Sequence, residues 1–291
     1  MSGFQYEAPT TVDAAVGLLA GAKGSARVLA GGTDLLVQLR SGAANPDLVV
    51  DIKRIGELRQ IGGSAASGFV IGAAVTGAEI GEHKELAKAW PGFVEGMELI
   101  GSTQIQGRAT PGGNLCNASP AGDCTPALVA AAAIAVIAGP NGRREIPVEQ
   151  VPVSPGKTSL AKGEFVVAFK LPPRGKLSGD AYLRMIPRTE MDIAIVGAAV
   201  NLTLDASGVC TAARVSLAAV APTVLLVDTA AKSLVGSKVD DAALANLAAA
   251  ASGACKPIAD KRGTIEYRTK VAGVLVRRAA VIARDRARSN T

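Results

Sequence analysis

Near the N-terminus the apolar positions switch between a helical and a strand period. Val12, Ala15, Val16 and Leu19 recur at helical spacing behind Pro9 and Thr10, residues that suit a helix start. Residues 26–30 then read as a short strand, 34–40 as a second helix and 48–52 as a second strand. A Gly/Ser-rich turn over 62–68 closes this small α/β unit. From Phe69 the pattern shifts to short strands and turns: a strand over 69–73, a helix broken by Pro91, a helix opened by Thr125-Pro126, and strands over 134–138 and 164–171 before Pro172-Pro173. In the last third, two β-rich runs, 193–204 and 209–219, flank Asp205-Ala206-Ser207-Gly208, a hairpin signal, and helices follow over 242–251 and 264–287. The expected fold class is α+β, in three units: an N-terminal subdomain over 1–62, a second over 63–176, and a C-terminal antiparallel sheet with helices over 177–291. No internal repeat or low-complexity linker interrupts them.

Two glycine-rich segments stand out from this pattern. The first is Leu29-Ala30-Gly31-Gly32-Thr33-Asp34. The second, Thr110-Pro111-Gly112-Gly113-Asn114, runs on through Asn117-Ala118-Ser119-Pro120 to Asp123. A glycine pair lacks the Cβ atoms that keep a ligand off the main chain, so successive N–H groups can converge on an anion. A Gly-Gly pair alone is an ordinary turn, but turns do not need the polar company of Thr33 and Asp34, or of Asn114, Ser119 and Asp123. Together the segments suggest one diphosphate held between two cradles.

Composition sharpens the chemistry. With 48% hydrophobic residues and only 3% aromatic, the core must rest on Ala, Val, Leu and Ile, and a flat ligand would lie against aliphatic side chains. The net charge of +6 concentrates visibly at the C-terminus, where Arg277, Arg278, Arg284, Arg286 and Arg288 share a predicted helix with Val271, Val274, Leu275, Ala279 and Ile282. That is a packed helix with a solvated basic face; nucleic acid would call for stacking aromatics among the cations. The apolar run over 126–138 is too short to span a bilayer and no signal-peptide pattern opens the chain, so a soluble cytoplasmic protein is expected. Cys116, Cys124, Cys210 and Cys255 form no CxxC pair and no metal-ligand spacing, which predicts no disulfide, no metal site and no iron–sulfur cluster here. The single histidine, His83, follows a predicted capping box of Thr76 and Glu79. One histidine leaves no Ser/His/Asp triad and no multi-histidine metal centre, and no protein side chain is expected to act as catalytic acid or base.

The two glycine segments, together with residues 101–107 and Arg188-Thr189-Glu190-Met191-Asp192-Ile193-Ala194, resemble the FAD-binding medium subunit of molybdenum hydroxylases, the family of carbon monoxide and xanthine dehydrogenases. Pro222-Thr223 and residues 257–268 extend the likeness into its C-terminal domain, so nearly the whole chain is covered. The resemblance implies a two-subdomain FAD-binding region followed by a C-terminal flavoprotein domain. It implies that Leu29, Ala30, Gly31, Gly32, Thr33, Asp34 and Leu35, with Thr110, Pro111, Gly112, Gly113 and Asn114, embrace the FAD pyrophosphate. Asp123 would bind a sugar or ribityl hydroxyl, and Ile100 and Val166 would flank the adenine. Ile193 would stand against the isoalloxazine, and Arg184, where relatives often carry lysine, would stabilise negative charge on reduced flavin. Pro111 replaces the usual isoleucine and removes one N–H from the cradle. Met191 stands where some NAD-using relatives have an acidic residue, which speaks against NAD as the acceptor.

The activity implied is oxidoreduction by electron transfer within a heterotrimer, expected as a dimer of heterotrimers. A large subunit would hold the molybdenum cofactor, a small subunit the two-iron two-sulfur clusters, and FAD in this chain would deliver electrons to an external acceptor. Two alternatives remain at this point: a free-standing FAD-dependent oxidase or dehydrogenase, and an assembly subunit without redox use.

Overall fold

The computed structural model describes residues 3–290. Strands β1 (Gln5–Glu7), β2 (Ala26–Leu29) and β3 (Leu48–Asp51) form a parallel sheet in the order β1-β3-β2. Parallel neighbours need crossovers, and helices α1 (Val12–Gly21) and α2 (Leu35–Ser41) supply them. Thr11 caps α1 by accepting from the Ala14 N–H, and Val12, Ala15 and Leu19 turn inward as their spacing requires. β2 ends at Leu29 and α2 begins at Leu35, so the first glycine pair occupies the loop at the carboxyl edge of a parallel sheet, where ligands of such sheets gather.

A second sheet is antiparallel, in the order β4-β5-β10-β6-β7. It comprises β4 (Ile61–Ser64), β5 (Gly68–Gly72), β6 (Ile134–Gly139), β7 (Gly142–Pro147) and β10 (Phe165–Leu171), and a small hairpin, β8 (Pro152–Ser154) with β9 (Lys157–Thr158), precedes β10. The turn expected over 62–68 falls at residues 65–67, and the residues on either side pair as the β4–β5 hairpin. Gly63 and Gly68 lie at φ of +92° and +86°, and a Cβ on Gly63 would stand 2.1 Å from the Gly68 carbonyl oxygen. These glycines permit a close strand pairing. Val12, Leu19, Val50 and Ile52 share a core with Val136, Phe165 and Val167, so the first sheet packs onto the second.

Between β5 and β6 run six helices: α3 (Gly77–Glu82), α4 (Lys84–Ala89), α5 (Pro91–Glu98), α6 (Thr103–Gln106), α7 (Pro111–Cys116) and α8 (Cys124–Ala130). The capping box of Thr76 and Glu79 opens α3, and His83 caps α4 by accepting from the Leu86 N–H while its ring meets Phe69 edge-on. His83 is thus a structural residue.

The C-terminal sheet follows chain order: β11 (Ser178–Met185), β12 (Val196–Leu204), β13 (Cys210–Ala218) and β14 (Leu225–Leu226). The expected strand start at Ile193 moves to Val196, because the preceding residues form a loop pinned by Met191 N–H to Gly101 O. Helices α9 (Asp228–Lys232), α10 (Asp241–Ala254) and α11 (Ile265–Ser289) complete the unit. α11 lies directly on β11: a Cβ at Gly179 would come within 2.1 Å of the Ala283 carbonyl oxygen. Small residues, Ala272, Ala279, Ala280, Ala283 and Ala287, make that approach possible. The arginines expected on a solvated face are partly recruited: Arg284 donates to Val239 O, and Arg286 to Asp180 O and to Glu95. Among the described residues no helix is long and apolar enough to cross a membrane.

Candidate cofactor site

A cavity of about 660 Å³ opens between the first parallel sheet and the α7–β10 side of the second unit. Its size falls within the range of about 300–1,000 Å³ typical of ligand pockets. One wall is the loop from Ala30 to Leu35. Among the described residues, the N–H groups of Gly31, Gly32, Thr33, Asp34 and Leu35 have no acceptor in the chain, and Asp34 does not cap α2 with its side chain. Unpaired main-chain donors are costly unless something outside the chain accepts from them. Gly32 adopts φ +84°, a conformation that suits glycine. Gly31 is glycine for another reason: a Cβ there would lie 2.0 Å from the Arg108 carbonyl oxygen, so it lets this loop press against the chain just before the second glycine segment. Desolvation raises the Asp34 carboxyl above its ordinary value.

The second segment works differently from the cradle its sequence suggested. Thr110 is the N-cap of α7, and Pro111 fills the first helical position, where a missing N–H costs no helical bond. Gly112 N–H is taken by Ala73 O, Gly113 N–H by Thr110 Oγ1 and Asn114 N–H by Thr110 O. None of these three is free for phosphate. A donor this segment offers is the Asn114 side chain. Its Oδ1 accepts from Cys124 N–H (3.2 Å), Cys124 Sγ (3.1 Å) and Thr125 Oγ1 (3.4 Å), which fixes the amide orientation and leaves Nδ2 without a partner among the described residues.

The cavity brings together Ala30, Gly31, Gly32, Thr33, Asp34, Leu35, Ile100, Thr110, Gly112, Gly113, Asn114 and Val166. Leu29 and Pro111 sit just behind that wall, in the core. Asp123, Arg184 and Ile193 do not line it. Asp123 is buried, with Oδ1 accepting from Tyr182 OH at 2.9 Å and Oδ2 from Arg184 at 2.7 Å. Burial pushes its carboxyl up to about 6 in spite of both partners. Arg184 is therefore an ion-pair partner of Asp123. Ile193 is 52% exposed at the end of the loop that Arg188 and Asp192 brace.

Sequence reading missed other cavity residues: Gln38, whose Nε2 donates to Asn117 Oδ1 at 3.1 Å, the apolar Val28, Ile52 and Leu160, and the cations Arg27 and Lys162. Asn117 carried a signal, lying within the second motif; the segment over 156–163, with β9 in it, carried only Gly156 and Gly163, both at positive φ. A smaller concavity of about 250 Å³ beyond Thr110 is faced by Lys53, Arg59 and Arg108. Lys53 is paired with Asp51 and Arg59 with Glu79.

Residues 2–174 match the family described as the FAD binding domain in molybdopterin dehydrogenase, and residues 181–282 match the CO dehydrogenase flavoprotein C-terminal domain. The chain belongs to the FAD-binding medium-chain family of molybdenum hydroxylases. It is 35% identical to the carbon monoxide dehydrogenase medium chain of Afipia carboxidovorans over 98% of both chains. Against that of Hydrogenophaga pseudoflava the identity is 33%, over 95% of both. It is also 31% identical to subunit alpha of the 6-hydroxypseudooxynicotine dehydrogenase complex of Paenarthrobacter nicotinovorans, over 98% of this chain and 96% of that one. In three dimensions it matches a Cu,Mo-CO dehydrogenase chain with a TM-score of 0.93, at 35% identity and over 98% of this chain and 99% of that one.

This medium-chain flavoprotein carries an FAD-binding domain, and the cavity suits that cofactor. FAD presents an anionic diphosphate and two flat ring systems. The unpaired N–H groups of residues 31–35 and the Asn114 Nδ2 supply donors for the former, and Val28, Ile52, Ile100, Leu160 and Val166 supply an aliphatic wall for the latter. The chain's four cysteines are free. Burial pushes the Cys116 thiol, on the cavity wall, up to about 12, so it stays protonated at neutral pH.

Proposed function

We propose that this chain is the electron-transfer subunit of a cytoplasmic molybdenum hydroxylase complex. Bound in this cavity, FAD would supply the redox chemistry by which electrons from iron–sulfur clusters of a small subunit reach an external acceptor. A large subunit with the molybdenum cofactor oxidises the substrate, and the whole is a dimer of heterotrimers. The observation that carries the reading is the run of unpaired main-chain donors from Gly31 to Leu35 on a cavity with aliphatic walls. The match to medium chains over nearly their full length supports the placement in a complex.

In this reading the chain's own residues bind and orient. Residues 29–35 accept the diphosphate against the main chain, with Thr33 adding a hydroxyl. Thr110 to Asn114 close the opposite side, Thr110 and Pro111 by shaping the turn and Asn114 by donating from Nδ2. Ile100 and Val166 hold the adenine between aliphatic surfaces. Asp123 and Arg184 form the buried support of the ribityl end, and Ile193, on its braced loop, stands toward the isoalloxazine. Met191, 53% exposed beside it, places no charge where an acceptor would approach, which favours an acceptor other than NAD.

Native mass spectrometry and absorption spectroscopy on gently purified protein, tagged on this chain, test the proposal. Bound FAD with iron–sulfur and molybdenum subunits attached is the expected result. A lone yellow chain would point to a free-standing oxidoreductase, and a colourless one would overturn the flavin reading.

A further inference from the structure

Helix α8 belongs in sequence to the FAD-binding region, yet it is held at both ends by the C-terminal sheet. All seven of its residues are buried. At its C-terminal end Val129 O accepts from Arg214 Nε on β13, and Ala130 O accepts from Asn201 Nδ2 on β12. The sheet thus adds a cation to Val129 O, which the Ala132 N–H already meets, and an amide donor to Ala130 O, at the end of a helix where such groups fit. At the N-terminal end the N-cap residue Asp123 accepts from Tyr182 and Arg184 on β11. Those two donors are two residues apart on one strand and so face the same side.

The first turn of α8 in turn grips the cavity. Cys124 N–H, Cys124 Sγ and Thr125 Oγ1 all point at Asn114 Oδ1. A connected path therefore runs from β11 through Asp123 and the start of α8 to Asn114. We propose that Tyr182 and Arg184 are positioning residues for the cofactor site, acting through Asp123 and α8 to fix the Asn114 amide that faces the cavity. The proposal rests on the FAD reading above. It makes the C-terminal sheet part of the cofactor-binding apparatus without any of its residues lining the cavity.

A double-mutant cycle on FAD affinity tests this, read by quenching of flavin fluorescence on titrating FAD into the stripped full-length chain. Tyr182→Phe removes one hydroxyl donated to a carboxylate and is expected to weaken FAD binding by about ten-fold. Asn114→Ala weakens binding on its own. In the Asn114→Ala background, adding Tyr182→Phe is expected to change FAD affinity no further, although the thermal midpoint still falls. Equal weakening in both backgrounds would show that Tyr182 acts only by general stabilisation and would overturn the proposal, as would wild-type affinity in Tyr182→Phe. If Tyr182→Phe does not fold, Cys124→Ala and Cys124→Ser serve instead: the first removes a donor to Asn114, the second keeps one. Weakened binding by the alanine variant, restored by serine, supports the path, and identical affinities overturn it. An unaltered chain that binds no FAD would overturn the flavin reading itself.

Discussion

Glycines that look alike in sequence have different duties. Gly31 and Gly112 are required by the chain itself, since Cβ atoms there would lie 2.0 Å from Arg108 O and 2.6 Å from Ala73 O. At Gly113 a Cβ would meet only Thr110 Oγ1, at 3.1 Å, within the cavity wall. Gly113→Val is therefore the cleaner probe of the cofactor site: FAD binding should fall at least ten-fold, with the thermal midpoint of the flavin-free chain shifted by no more than a few degrees. Gly31→Ala should instead lower that midpoint sharply, because main-chain atoms must move. Flavin titration beside thermal unfolding separates the two. Sequence could mark all four glycines but not divide them, since the division depends on which strand or loop faces each one.

At the scale of elements, helix starts and strand periods were legible because their causes are local. Thr11, Thr76 and Thr264 cap the helices that follow them, and Pro91 starts α5 where it was expected to break a helix. The misread stretches depend on distant partners. The turn expected over 62–68 tightens to 65–67 because β4 pairs with β5, and residues 193–195 leave the strand because their loop is tied to Gly101. Of the candidate site, the first glycine loop was readable from its composition. The Asp123–Arg184 pair was not, because it joins the N-cap residue of α8 to a residue of β11 at a separation in sequence that carries no period. Arg268 of α11 was likewise invisible as a structural residue. It is buried, donating to Ile195 O at 2.8 Å, to Ala219 O at 3.2 Å and to Asp260 at 2.7 Å. Arg268→Ala would leave two buried carbonyls unpaired and is expected to destabilise the chain by about 3 kcal/mol, measured by urea unfolding.

For the molecule as a whole, the join between the FAD-binding region and the C-terminal unit is polar and buried, and this gives it a pH signature. Asp180 on β11 accepts from Gly92 N–H and from Arg174, whose guanidinium stacks over the Trp90 ring at 4.1 Å. Burial pushes the Asp180 carboxyl up to about 6, as it does that of Asp123. A carboxyl raised from 3.8 in the unfolded chain binds more protons when folded. Its contribution to stability is fully present below 3.8 and is lost as pH rises through about 6. Lowered carboxyls such as Glu79 and Glu164 act in the opposite sense, so the comparison must be with a variant that changes only this group. Relative to Asp180→Asn, the wild-type chain should lose stability between about pH 4 and about pH 7. Thermal unfolding of both proteins across that range measures it; a constant difference would contradict the assignment.

The cavity has walls from two units, the β2–α2 loop on one side and α7 with the loop before β10 on the other. A molecule seated there touches both, and each half loses its contact if the other swings away. Cofactor occupancy is therefore a clasp as well as a redox device: at a free FAD concentration one hundred times its dissociation constant, mass action adds about 2.7 kcal/mol to the folded state. The flavin-free chain should accordingly be the form that proteases cut first, with the initial cleavage in the glycine loop over 30–34.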